Sequence, residues 1–350
     1  MIRFSSLGDV LLAAHLPAFL RDADARAGRE PRRVLFATKE RFAAVLRGHP
    51  DVARFFLLED RSSDPASPAP FGVTGGRGVL ASALLREGVD EVFDLHQNLR
   101  SSRLSASLGA VRRVAPSKHG IRRRLMVHAK WLRPRPLPPL LETYRAVAGL
   151  EPGAPVRPWL REALEEAERA RARTRLGEDA ARLALLGVGA RWATKRWPVE
   201  RFVELSDRLS VEAGLASRLA VPPESPEAAT LRGLLPAARH DRILEATFRE
   251  CAAAASFARV VVSNDSAILH LGAALGVPAV GIFGSTVPAF GFAPSGPRDE
   301  VVEAPLSCRP CDVHGRDRCP LGHHRCMQDL SADRVLAAVR RVLAREAEAA

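Results

Sequence analysis

Arg259-Val260-Val261-Val262-Ser263-Asn264-Asp265-Ser266-Ala267-Ile268-Leu269-His270 is the stretch that decides the fold. Its opening is an unbroken β-branched run, the pattern of a strand buried on both faces. Ser266 to Leu275 reads as a helix, and Val277 to Phe283 as the next strand. A strand, a crossover helix and a second strand at this spacing make a unit of parallel sheet.

The alternation extends outward from there. Leu183 to Val188 reads as a strand entering a Gly-containing loop, and Val199 to Ala213 as a helix with Phe202, Leu205 and Leu209 on one face. In the first half, Val34 to Ala37 and Glu91 to Leu95 read as strands, with a helix from about Glu40 to Arg47. Between the halves lie Pro134, Pro136, Pro138, Pro139, Pro152, Pro155 and Pro158, a density that breaks helices and ladders alike. A charged helix from Leu160 to Leu176 follows, and Asp60 to Gly78 reads as a mobile loop rich in Ser, Pro and Gly. No internal repeat is found. The expected fold is α/β, two Rossmann-like domains with parallel sheets facing across a cleft. Ligands in such folds sit outside the carboxyl ends of the strands.

Length and composition agree with that class. The 350 residues suffice for two domains with separate cores, and 47% apolar and 26% charged residues are globular values that exclude wholesale disorder. Five cysteines do not make a disulfide scaffold. The net charge of +12 is concentrated: residues 95–141 contain no acid and 11 Lys and Arg. No RNA- or DNA-binding pattern accompanies those charges, so a nucleic-acid partner is not expected. The same charges favour an anionic membrane surface. Asp9, His15 and Pro17 interrupt the N-terminal apolar stretch, which speaks against a signal peptide. The uncharged run Ser266 to Pro297 is broken by Gly and Pro, which speaks against a transmembrane helix.

Three segments carry candidate chemistry. Arg3-Phe4-Ser5-Ser6-Leu7-Gly8-Asp9 places a carboxylate at a helix start beyond a short strand, either as a plain N-cap or as a reactive group. Gly187-Val188-Gly189-Ala190-Arg191, running to Lys195-Arg196-Trp197-Pro198, offers backbone N–H groups and a lysine to a phosphate, or is a solvated loop. Ser263 to His270 puts Asp265 and the free N–H groups of Ser266, Ala267 and Ile268 at a helix start, with His270 a turn later. The bland reading there is a capping Asp and a packed His. Neither G-x-G-x-x-G nor a Walker sequence is present.

In this order and spacing the segments resemble the ADP-heptose:lipopolysaccharide heptosyltransferases, glycosyltransferase family 9. The resemblance runs from R-F-S-S-L-G-D through D-L-H-Q-N-L-R at Asp94 to Arg100, G-A-R and K-R-W-P at Gly189 to Pro198, S-N-D-S-A at Ser263 to Ala267, and V-G-I-F-G-S-T at Val280 to Thr286, to a cysteine-rich tail. It implies a GT-B-type fold, with an acceptor-binding domain at 1–158 and a nucleotide-sugar domain at 159–330. A C-terminal helix at 331–350 follows, with packing back on the first domain as one option. It implies inverting transfer of heptose from ADP-heptose to the Kdo- or heptose-bearing inner core of lipid A, without a required cofactor. Asp9 matches the general base, and Lys195 with the N–H groups of Ser266, Ala267 and Ile268 matches the stabilisers of the leaving diphosphate. Asp265 matches the residue that holds sugar hydroxyls, and His270 lines the same site.

Gly189 and Ala190 belong to the donor loop. The ribose-binding acid is Glu224 or Glu227, with spacing favouring Glu227, and the adenine contact falls near Ala246 and Thr247. Ser5, Ser6, Arg100, Arg122, Arg123 and Arg124 are the candidates for an anionic acceptor, since arginine forks suit carboxylate and phosphate. The implied setting is a monomer at the cytoplasmic face of the inner membrane. Cys308-x₂-Cys311-x₇-Cys319-x₆-Cys326 is open to three readings: a structural zinc site, reduced structural thiols, or disulfides. Asp22-Ala23-Asp24 has the D-x-D form of metal-dependent glycosyltransferases but falls in an expected helix away from other ligands. Only Met1 and Ile2 precede Arg3, fewer apolar residues than the family pattern carries, so a start further upstream stays open. The motifs equally leave open another donor or acceptor on the same fold, or a non-catalytic glycan-binding relative.

Overall fold

The structure, a computed structural model, describes residues 1–59, 71–109, 112–132, 135–153 and 156–349, with side chains to 346. Residues 60–70 of the expected loop, together with Arg133, Pro134 and Pro155, lie outside the described residues. The chain forms two compact units, Met1–Lys118 with Leu140–Leu164, and His119–Pro139 with Glu165–Ala350.

In the first unit, β1 (Leu35–Lys39), β2 (Arg54–Leu58) and β3 (Val73–Gly75) pair in parallel, and so do β4 (Glu91–Phe93) and β5 (Arg112–Val114). The extended N-terminus joins the two groups. Ile2 bridges in parallel to Ala37 on one side and Asp94 on the other, with Ile2 N donating to Phe93 O and Arg3 N to Ala37 O, both at 2.9 Å. Chain order therefore runs outward in both directions from residues 1–3, which makes their carboxyl end a topological switch point. Ile2, Phe4, Phe56, Leu80, Val92 and Leu104 share the core beneath. The loop reading of Asp60 to Gly78 is corrected at its end. Val73–Gly75 pairs with Phe56–Leu58 as β3, and the helix Arg77–Arg86 starts at once behind it.

In the second unit, β6 (Leu183–Gly187), β7 (Ala216–Val221), β8 (Ile243–Glu245), β9 (Val260–Asn264), β10 (Ala279–Phe283) and β11 (Glu300–Glu303) lie in the order β11-β10-β9-β6-β7-β8, parallel throughout. This is the doubly wound Rossmann order, with its switch point between β6 and β9. Both of these strands are buried along their whole length, as the apolar runs Leu183–Leu186 and Val260–Val262 require, and the polar Ser263 and Asn264 that end β9 are hydrogen-bonded. The helix Val199–Ala213 has the expected bounds, buries Phe202, Leu205 and Leu209, and stops at Gly214, whose φ of +63° suits a residue without Cβ.

The units differ from the expected domains in three places. The segment His119–Pro139 clusters with the second unit. The run Leu160 to Leu176 is two helices, Trp159–Ala163 and Glu166–Leu176. Leu164 between them is extended, Glu165 caps the second helix through a reciprocal bond with Glu168, and the division between units falls there rather than at 158. The C-terminal helix Ala332–Ala349 packs on the helix Val199–Ala213 and on β9 to β11, sinking Val335, Leu336, Val339 and Val342 into the second unit's own core. Two expected helices also start as tight 3₁₀ turns. Glu40–Phe42 precedes Ala43–Leu46, and Ala267–His270 precedes Leu271–Leu275.

Candidate active site

Each switch point holds one carboxylate with one oxygen engaged and the other open. In the first unit, the helix Leu7–Ala13 begins directly after the bridging segment, with Ser6 as N-cap and Asp9 at its third position. Ser6 N and Ser6 Oγ each donate to Asp9 Oδ2 at 2.9 Å, and Arg3 Nη2 stands 2.7 Å from the same oxygen. Asp9 Oδ1 accepts nothing among the described residues. Burial alone would push this carboxyl up. The charge of Arg3 and the bonds from Ser6 and Arg3 outweigh it and hold Asp9 below the ordinary carboxylate range. Asp9 is thus both the capping-box partner of Ser6 and an ionised group with one oxygen unengaged among the described residues.

Around it, Arg3 also donates to the Leu95 carbonyl, and Asp94 organises the loop after β4. Asp94 Oδ1 accepts from His96 N at 3.0 Å and Gln97 N at 2.7 Å, while Oδ2 accepts from Ser101 Oγ at 3.0 Å. His96 lies edge-on to Phe4, and its Nδ1 is buried without a hydrogen-bond partner among the described residues. Burial, and then the charge of Arg3, push its pKa down to about 4, so the ring is neutral at physiological pH. Arg100 is exposed at the start of the helix Leu99–Ser107 and makes no side-chain bond among the described residues. Ser5 is half-buried, and Ser6 is taken up by the cap.

In the second unit, Lys195 Nζ stands 2.6 Å from Asp265 Oδ2, and Thr286 Oγ1 donates to that oxygen at 2.7 Å. Asp265 Oδ1 accepts nothing among the described residues. Buried Asn264 joins the two loops of the switch point. Its Nδ2 donates to Gly189 O and its Oδ1 accepts from Trp197 N, both at 3.0 Å. Gly187 permits this closure, because a Cβ there would meet Ser263 Oγ at 2.6 Å and Ile268 Cγ2 at 2.7 Å. Gly189, at φ +93°, needs its left-handed conformation, and a Cβ on it would lie 3.3 Å from Glu227 Oε1. Glu227 therefore borders the donor loop, where Arg196 Nη1 stands 3.3 Å from it. Glu224 is exposed at φ +56°, its N–H donating to Glu245. Ser266 precedes the 3₁₀ turn, and its N–H with those of Ala267 and Ile268 bonds no acceptor elsewhere in the described residues. His270 is buried in that turn, Ala246 is buried, and Thr247 caps the helix Phe248–Ala255.

Sequence reasoning missed the supports of this site. Thr286 is the second hydrogen-bond donor to Asp265, and it is held in turn by Arg309. That buried guanidinium donates to the carbonyls of Phe283, Gly284, Thr286 and Ala304, and it pairs with Glu303. Arg316 N donates to Thr194 Oγ1 at 2.8 Å, and Thr194 Oγ1 donates to Ser285 Oγ at 2.9 Å. The tail thus grips both loops that carry Lys195 and Thr286. Arg309 stands between Cys308 and Cys311, where the cysteine spacing drew the reading. The five cysteines are free thiols in this structure, and among the described residues no group of three or more His, Cys, Asp or Glu is placed to hold a metal. Asp24 of D-A-D is buried and bonded to Arg29 and Arg32. Arg123 is also engaged, its Nε donating to Phe290 O at 3.1 Å, while Arg122 and Arg124 bond nothing among the described residues. All three arginines belong to the second unit.

Residues 77–320 match the model of glycosyltransferase family 9 (heptosyltransferase). A lipooligosaccharide heptosyltransferase 2 of Campylobacter jejuni is 34% identical over 92 residues, which is 25% of this chain and 27% of that relative. Only about a quarter of the relative's length is therefore matched in sequence. Solved structures are similar over nearly the full chain. The E. coli ADP-heptose LPS heptosyltransferase II has a TM-score of 0.69 at 19% identity, covering 99% of this chain and 98% of its own. The E. coli heptosyltransferase WaaC with ADP-2-deoxy-2-fluoro heptose has 0.62 at 21% identity, covering 97% and 98%. These likenesses show the fold, an α/β architecture of GT-B type built on parallel sheets.

Proposed function

This chain belongs to glycosyltransferase family 9, the heptosyltransferases, and we propose that it moves heptose from ADP-heptose to the inner core of lipopolysaccharide. The acceptor is a Kdo- or heptose-bearing lipid A. The observation that carries this reading is Asp9: a carboxylate at a switch point, kept ionised by Arg3, with Oδ1 open.

The reaction is a single displacement. Asp9 Oδ1 takes the proton of an acceptor hydroxyl while that oxygen bonds to C1 of the heptose. The bond from C1 to the diphosphate oxygen breaks, its electron pair leaves with ADP, and C1 inverts. Charge that builds on the diphosphate meets Lys195 and the N–H groups of Ser266, Ala267 and Ile268. An ammonium has three donors, so Lys195 keeps Asp265 with one and reaches phosphate with another. Asp265 Oδ1 holds sugar hydroxyls, with Thr286 fixing the carboxylate from behind. Glu227 takes the ribose, since it borders Gly189 while Glu224 faces solvent. Ala246 and Thr247 flank the adenine, and His270 backs the turn. Arg100, Arg122 and Arg124 draw the anionic acceptor, which sits at the cytoplasmic face of the inner membrane.

A titration of the purified chain with ADP, UDP, GDP and TDP tests the donor. Preference for ADP at micromolar affinity is the expected result. Preference for another nucleotide overturns the donor, and no binding to any of them overturns the enzymatic reading.

A further inference from the structure

The segment His119–Pro139 carries more apolar surface than its packing uses. The helix Gly120–His128 buries Met126 and Val127 with Leu137 and Phe290. Arg123 fixes it further, its guanidinium lying 4.6 Å over the Phe292 ring, and Lys130 Nζ donates to Cys308 O at 2.6 Å. One side of the helix is therefore docked. On the rest, Ile121 is 78% exposed and Leu125, one turn on, 39%. The 3₁₀ turn Lys130–Leu132, packed against the helix, leaves Trp131 80% and Leu132 49% exposed. Four of the ten large hydrophobic residues found exposed among the described residues fall within these 12 positions. Single exposed apolar residues are ordinary; a cluster on a docked, tethered element marks an interaction surface.

The charges around the cluster select the partner. Arg122, Arg124, His128 and Arg135 make no bond or ion pair among the described residues, and no acid occurs anywhere from residue 95 to 141. Basic side chains interleaved with aliphatic ones and a solvent-facing Trp suit the headgroup zone of an anionic bilayer. There the apolar groups sink into the acyl boundary, Trp sits at the interface, and Arg meets phosphate. A nucleic acid would neutralise the arginines but leave Ile121 and Leu125 in water. The helix of nine residues is far too short to span. We propose that Ile121, Leu125, Trp131 and Leu132, ringed by Arg122, Arg124 and Arg135, dock this protein on an anionic phospholipid bilayer. The proposal deepens the reading of a lipid-anchored acceptor, because it lays the chain on the surface where such an acceptor resides.

The test is flotation of the full chain with vesicles of phosphatidylglycerol and phosphatidylethanolamine, against vesicles of phosphatidylcholine alone, without nucleotide or acceptor. The chain is expected to float with the anionic vesicles only, less so at high salt. The variant I121S/L125S/W131A should lose at least about 10-fold in partitioning, with ADP binding and circular dichroism unchanged. Trp131→Phe alone should abolish a vesicle-induced blue shift in fluorescence, a readout that stands even where the triple variant folds poorly. Equal binding to both vesicle types, or unchanged partitioning of a folded triple variant, overturns the proposal. So does concentration-dependent self-association that the triple variant abolishes without any vesicle binding. Since the assay needs no transfer, its result is independent of the nucleotide titration.

Discussion

Arg3 Nη2 stands 2.7 Å from Asp9 Oδ2; Arg3 lies in the bridged segment that joins the two sheet groups of the first unit, and Asp9 in the helix that follows it. The pairing separates two jobs within one carboxylate. Oδ2 is tied to Arg3 and the Ser6 cap, so the group is fixed and ionised, while Oδ1 stays open for a proton.

That pairing predicts a pH effect. A base whose pKa is depressed works until the pH falls through that low value, so the wild-type acid limb lies in the acidic range. Arg3→Gln removes the opposing charge while burial remains, so the Asp9 pKa rises and the acid limb of kcat/KM moves to higher pH. Arg3→Lys, which keeps the charge, should move it less. A profile that stays in place in Arg3→Gln contradicts the assignment.

Thr286 predicts a split between nucleotide and sugar. Thr286→Val keeps the shape but removes the donor to Asp265 Oδ2. Bonds to charged groups contribute about 1.5–3 kcal/mol, so kcat/KM for the nucleotide sugar should fall by at least about 10-fold. ADP affinity should hardly change, since Asp265 is assigned to the sugar. Equal losses in both would place Asp265 on the nucleotide instead.

The two candidate ribose acids should separate cleanly. Glu227→Gln is expected to weaken ADP binding by about 10-fold, and Glu224→Gln to leave it unchanged, as calorimetry would show. The opposite ranking would move the ribose contact to the exposed, left-handed Glu224.

The strands were legible because a strand buried on both faces is apolar along most of its run, as Val260–Val262 and Leu183–Leu186 are. The helix Val199–Ala213 was legible from its spacing and its glycine stop. The break at Leu164 was not, because a uniformly charged run hides which unit each end buries into, and Trp159 and Leu160 answer to a different core than Leu176. The site carboxylates and Lys195 sat in quotable motifs. Their supports did not: Arg309 acts through four carbonyls, and carbonyls leave no trace in a sequence. The assignment of Arg123 to the acceptor met the same difficulty, since its partner Phe290 is 167 residues away.

Gly284 tests the closeness of the two donor loops. A Cβ there would stand 2.8 Å from Thr194 O and 2.7 Å from Met327 Cε. Because one neighbour is backbone, Gly284→Ala should cost about 1–3 kcal/mol of stability, read from the denaturant midpoint. It should also lower donor affinity through displaced Lys195. A variant as stable as the parent would mean the loops have room to part.

The central claim, that Asp9 is the base of a heptosyl transfer, is tested most directly by Asp9→Ala, measuring transfer from ADP-heptose alongside ADP affinity. The account predicts a fall in kcat of at least about 10²-fold with ADP affinity unchanged. Transfer at the parent rate would contradict it.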